Sequence, residues 1–239
     1  MVPCPVPMNK LLVAIALFVA SQAVAETASP ADYLEPLRVE LQKQWPANRR
    51  INIVFHGHSV PSGYFRGGNV RPFDSYPHLV HVSLNRRYPT SVVSAIVTGI
   101  GGEHSEQGAK RFADDVLSKQ PDVVTIDYSL NDRAIGLSRA RTAWTSMIRE
   151  ALDAGVKVIL LTPSVDSSVA FTDPNDPLCQ HAAQVRQLAS EFEVGLVDSL
   201  ATFQHRVSEG TPVNTLLSQP NHPNRRGHEL IAELFEPWF

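Results

Sequence analysis

Cysteine is scarce in this chain: two in 239 residues, Cys4 and Cys179. That excludes a small scaffold stapled by disulfides. Charge of a single sign is also missing. Lysine and arginine number 21 against 24 aspartates and glutamates, a net charge of −3. No basic patch marks a nucleic-acid partner, and nothing draws the chain to an anionic membrane. Low-complexity stretches, internal repeats and linkers are absent after residue 25. Long apolar runs are absent there too. The one such run, residues 11–20, is too short to span a bilayer.

That run has a different meaning. Lys10 precedes it and Ala23-Val24-Ala25 follows it. A charged start, a short apolar centre and a small-x-small ending describe an export signal, with cleavage expected after Ala25. Met8 is a second candidate start. Position 26 is Glu26 rather than cysteine, so no lipid anchor is expected. The expectation is an exported protein, periplasmic or secreted, with no membrane span in its mature form. Loss of Lys10 leaves 20 basic against 24 acidic residues, a net charge of −4. Cys4 leaves as well, so Cys179 stands alone. It opens an apolar helical pattern in "NDPLCQHAAQV", which suits a buried structural thiol better than a nucleophile.

What the chain does contain is a repeated alternation. Short, β-branched apolar runs occur at residues 51–55, 92–97, 123–128, 156–161 and 194–197. Helical spacing fills the gaps: Ala109, Phe112, Ala113, Val116 and Leu117, then Ala140, Trp144, Met147, Ile148, Ala151 and Leu152, which Gly155 stops. A helix is expected over residues 30–44, and Leu230, Ile231, Leu234 and Phe235 mark the last one. Strands without polar alternation, separated by helices, predict a parallel sheet covered on both faces. Five strands are too few for an eight-fold barrel. The expected fold is an α/β domain over residues 26–239: a three-layer α/β/α sandwich on a five-stranded parallel sheet, flavodoxin-like in type, with order 2-1-3-4-5. The loop 164–177 is a candidate rim for a pocket.

In such sheets the ligand site lies beyond the carboxyl ends of the strands. Three loops there carry unusual chemistry: "GHSVPSG", "GIGGEHSEQG" and "SLNDRAIG". A fourth segment, "QPNHPNRRGH", precedes the last helix. Together they supply what acyl-ester chemistry on a serine needs. Ser59 is a weak nucleophile without an adjacent base, and His222 can take its proton and return it to a leaving alcohol. The backbone N–H groups of Ser59 and Gly102 and the side-chain amide of Asn131 can hold an oxyanion. No cofactor is required.

These four blocks resemble the SGNH hydrolases, the GDSL-type esterases and lipases. "GHSVPSGY" matches the block of the nucleophile at Ser59, and "GIGGEHSEQG" that of the oxyanion glycine at Gly102. "SLND" matches the asparagine block at Asn131, and "NHPNRRGH" the histidine block at His222. The resemblance spans about residues 50 to 239. It implies the SGNH-hydrolase type of fold and an acyl or acetyl ester substrate; export adds a carbohydrate ester to the expectation. Three positions depart from the family. Its aspartate before the serine is His58, and its glycine opening the third block is Ser129. Its acid, three residues before the histidine, is Gln219, and no carboxylate occurs from position 211 to His222. A Ser–His dyad is expected, with or without support from Gln219. A backbone carbonyl, or a distant carboxylate such as Asp198 or Glu103, is the alternative.

Other readings compete. His56 and His58, two apart, with His104 and His222, can be cast as a zinc set, but no acidic ligand motif accompanies them. An α/β-hydrolase elbow, G-x-S-x-G, fails at Pro61. His78, His81 and His228 fit packing roles, Asp132 a brace, and Asn224 and Gly227 a helix cap and a close contact. The same catalytic residues suit an acyltransferase to a sugar hydroxyl, and the same fold suits a non-catalytic carbohydrate-binding protein. Oligomeric state has no signature in the sequence.

Overall fold

The computed structural model describes Met1 and residues 26–239, so the expected export signal lies outside the described residues. Five strands form one sheet: β1 (Arg50–Gly57), β2 (Val92–Val97), β3 (Val123–Asp127), β4 (Lys157–Leu161) and β5 (Gly195–Val197). Their order is β2-β1-β3-β4-β5 and every pair is parallel, as expected. Strand period two explains the layers. Ile51, Ile53 and Phe55 of β1 join Ile159 and Leu161 of β4 in one core, while Val54 joins Val124, Ile126, Val158 and Leu160 in the other.

The first core is closed by α1 (Glu35–Leu41), α2 (Tyr76–Arg87), α8 (Ser199–Ser208) and α9 (Arg225–Glu233), through Leu37, Val80, Phe203 and Ile231. The second is closed by α4 (Phe112–Asp115), α6 (Leu137–Asp153) and α7 (Pro177–Glu191), through Phe112, Trp144, Met147 and Leu188. Gly155, at φ 74°, ends α6, with its N–H on the Leu152 carbonyl and the Val156 N–H on that of Ala151. That pair of bonds is a Schellman cap, which needs a left-handed residue.

Two helix expectations need correction. The helix expected over 30–44 is confined to α1, because residues 31–34 form turns and Pro36 sits in its first turn. The helical spacing from Ala109 to Leu117 is not one helix. It breaks at Arg111 into α3 (Ser105–Lys110) and α4, followed by a short 3-10 turn. Arg111 leaves helical geometry at ψ 8°, and its guanidinium reaches Glu103, Asp115 and the Tyr128 hydroxyl.

A second, two-stranded sheet carries the C-terminal histidine block. The strands β6 (Leu217–Gln219) and β7 (His222–Pro223) pair antiparallel, with Gln219 opposite His222. Pro220 and Asn221 make the turn between them, where proline pre-sets the first central angle. The Ser167 N–H on the Pro220 carbonyl, 2.8 Å, ties this turn to the loop 164–177.

Candidate active site

Ser59 lies two residues past the end of β1, where Gly57 permits a close crossing. A Cβ on Gly57 would stand 2.5 Å from the Asp127 carbonyl oxygen and 2.9 Å from Pro61. The Tyr64 N–H on the Ser59 carbonyl and the Ser62 hydroxyl on the His58 carbonyl then fold the chain back on itself. His222 arrives from the hairpin β6–β7. It is fixed from behind by α9: Asn224 accepts the Gly227 N–H at 3.1 Å, and a Cβ on Gly227 would stand 2.3 Å from the Leu216 carbonyl oxygen. Sequence positions 163 apart thus meet, with Ser59 Oγ and His222 Nε2 2.8 Å apart and both residues buried.

The other face of the His222 ring is amide-lined. Nδ1 is 2.7 Å from Asn221 Oδ1 and 2.7 Å from the Gln219 side-chain amide. When Nε2 accepts the Ser59 proton, Nδ1 carries the hydrogen and donates it to Asn221 Oδ1. The structure places Gln219 Nε2 2.7 Å from Nδ1; turned end for end, the side chain presents its amide oxygen to the same hydrogen. Asn221 was not anticipated from sequence, because its role follows from its place in the turn. Neither distant carboxylate reaches the ring. Asp198 caps α8 and pairs with Arg186, and Glu103 pairs with Arg111. The His222 pKa is lowered to about 4, by burial first and by His58 second, with Asp166 opposing.

The loop carrying Gly102 sits beside Ser59. The Ile100 N–H donates to the Gly57 carbonyl, and Gly101 packs against the Tyr64 ring. Gly102 has φ +82° and open space where a Cβ would be, so its backbone angle, not crowding, demands glycine. Neither its N–H nor that of Ser59 donates to another group among the described residues. Asn131 stands in the single turn α5 (Ser129–Asp132) after β3, and its Nδ2 donates one hydrogen to the Glu103 carbonyl at 2.8 Å. An amide has a second hydrogen, which remains for a ligand. Asp132 is a brace: its oxygens accept the Ser105 N–H and the Trp144 indole N–H, each at 2.7 Å. Beside Asn131 opens a groove of about 420 Å³, walled by Arg133, Ala134, Val169, Asp176 and Pro177, which includes part of the loop 164–177.

The remaining histidines separate. His56 has both ring nitrogens engaged, Nδ1 with the Thr98 hydroxyl and Nε2 with the Gly108 carbonyl. Burial lowers its pKa to about 3, with Arg111 adding to the effect. His228 is buried and accepts the Tyr76 N–H, which satisfies one donor at the start of α2. His81 donates to the Val93 carbonyl, and His78 packs edge-on against Phe73. Among the described residues no group of three or more His, Cys, Asp or Glu is spaced to hold a metal ion. Cys179 is buried with its Sγ 3.1 Å from the Phe171 carbonyl. No helix among the described residues is long and apolar enough to cross a membrane.

Known proteins share this arrangement of chain. The model of the GDSL-like lipase/acylhydrolase family matches residues 55–230. An acetylxylan esterase of Geobacillus stearothermophilus is 24% identical over 164 residues, covering 64% of this chain and 74% of that protein. The crystal structure of an acetylxylan esterase from that organism superposes with a TM-score of 0.67 at 24% identity, over 77% of this chain and 92% of the other. A two-domain esterase active on acetylated mannans gives 0.73 at 21% identity, over 89% of this chain and 54% of its own. With the family model covering most of the chain and all four of its blocks, the protein belongs to the GDSL-like lipase/acylhydrolase family and is a carboxylic ester hydrolase.

Proposed function

We propose that this protein is an exported esterase that removes acetyl groups from carbohydrate esters through an acyl-enzyme on Ser59. The observation that carries this reading is the 2.8 Å contact between Ser59 Oγ and His222 Nε2, beside two backbone N–H groups that have no acceptor among the described residues. His222, neutral because its pKa is held near 4, takes the Ser59 proton as Oγ attacks the ester carbonyl. The Ser59 and Gly102 N–H groups and the second Asn131 hydrogen receive the oxyanion. Collapse sends the proton from Nε2 to the departing sugar oxygen. A water then gives a proton to Nε2 as it attacks the acyl carbon; the C–Oγ bond breaks, Nε2 returns that proton to Ser59 Oγ, and the acid leaves. With amides behind it, the imidazolium of His222 is oriented by Asn221 and Gln219 but weakly stabilised by them.

The acetyl-carbohydrate assignment is supported by the acetylxylan and acetyl-mannan esterases among the similar proteins. Export is supported by the N-terminal sequence, with Glu26 as the mature start. The test is acetate release from acetylated xylo- and manno-oligosaccharides by wild type and Ser59→Ala. Release by wild type alone is expected; equal release by both removes Ser59 from the reaction, and no release from either oligosaccharide by wild type removes the carbohydrate assignment.

A further inference from the structure

We propose that Ser59 has two bases, and that His58, backed by Asp127, is the second proton acceptor; this rests on Ser59 being the nucleophile. His58 is fully buried, with Nδ1 3.3 Å from Ser59 Oγ. Nδ1 also accepts the Val60 N–H at 3.3 Å, so the ring hydrogen lies on Nε2. Nε2 lies 3.5 Å from Asp127 Oδ1, an ion-pair separation and not a hydrogen bond, and among the described residues it has no hydrogen-bond partner. Asp127 is itself buried, and its other oxygen accepts the Tyr76 hydroxyl at 3.2 Å. The line Ser59–His58–Asp127 therefore contains what the line through His222 lacks, a carboxylate behind the imidazole.

The chemistry balances without a co-reactant. The Ser59 O–H bond breaks and its proton moves to His58 Nδ1, displacing the Val60 contact. The Oγ–carbonyl carbon bond forms, and the carbonyl π pair moves onto the oxygen. His58 is then an imidazolium with the Asp127 carboxylate 3.5 Å from Nε2, close enough in a buried setting to stabilise its charge. On collapse the Nδ1 proton goes to the leaving oxygen. The contact to His222 is shorter and unshared at Nε2, so His222 carries the main flux and His58 the remainder.

The experiment measures Ser59-dependent turnover of an aryl acetate and labelling of Ser59 by a fluorophosphonate. The enzymes are wild type, Ser59→Ala, His222→Ala, His222→Ala/His58→Gln and His222→Ala/Asp127→Asn, each checked for folding by its thermal melt. His222→Ala is expected to stay about tenfold or more above Ser59→Ala in both assays, since a positioned base contributes about 10²–10⁴-fold. Adding His58→Gln or Asp127→Asn is expected to remove that excess. The Asp127 variant answers where the His58 variant does not fold. A His222→Ala rate at the Ser59→Ala level, or an excess that survives both second substitutions, overturns the proposal. A Ser59→Ala rate equal to wild type instead overturns the esterase mechanism itself.

Discussion

Ser59 meets its nearer base at 2.8 Å, and the far side of that base is held by two amides instead of an acid. A carboxylate there would favour the imidazolium and raise the His222 pKa from about 4. His222 accepts the Ser59 proton only when neutral, so the main flux in kcat/KM is expected to rise through pH ~4 and stay flat to neutrality. Gln219→Glu is expected to move that acid limb upward by about one unit or more, read from kcat/KM against pH; an unmoved limb would mean Gln219 does not face the ring. Asn131→Ala is expected to lower kcat about 10²–10³-fold with KM little changed, the signature of an oxyanion donor. Ser59, Gly102, Asn131 and His222 could be proposed together from sequence because each stands in a motif block, the first three after strand ends and the last ahead of α9. Asn221 was not, since its side chain turns onto the ring only once Pro220 and Asn221 form the hairpin turn. The surroundings of His58 were equally hidden: Asp127, 3.5 Å from its Nε2, lies on another strand, in register with Gly57.

At the scale of elements, the hairpin β6–β7 and the start of α9 act as one holder for His222. Asn224→Ala removes the α9 cap and is expected to cost about 0.5–2 kcal/mol, measured by denaturant unfolding. Gly227→Ala forces a contact of 2.3 Å with the Leu216 carbonyl, so the hairpin must shift. Its expected effect is a fall in kcat larger than the fall in stability alone implies, because Nε2 moves off Ser59. The strands were readable from their continuous apolar runs, since burial on both faces leaves no other pattern. The break at Arg111 was not. The spacing Ala109, Phe112, Val116 still points one way, and the cause is a guanidinium held by residues on α4, β3's exit and the Gly102 loop. The cap at Asn224 and the tight contact at Gly227 were readable because capping and close approach each restrict a position to few residue types.

For the whole molecule, the parallel order β2-β1-β3-β4-β5 sends the loops carrying Ser59, Gly102 and Asn131 off one end of the sheet. This much follows from sequence, since right-handed crossovers with five strands leave few arrangements. Folding also buries His56 and His228 as neutral rings with pKa lowered to about 3. An unfolded histidine titrates near 6.5, so below that pH the unfolded chain binds protons that the folded chain refuses. Their contribution is present above pH ~6.5 and is lost as pH falls toward 3, by at most about 1.4 kcal/mol per unit for each ring. Thermal melts are expected to show Tm dropping between pH 6.5 and 4. A flat Tm over that range would mean that these rings are not buried neutral.

The most direct measurement is release of a chromogenic phenol from an aryl acetate by wild type and Ser59→Ala at neutral pH. If Ser59 is the nucleophile, the variant loses activity on the order of 10³-fold or more, with its melt unchanged. Equal rates in the two proteins would contradict that role.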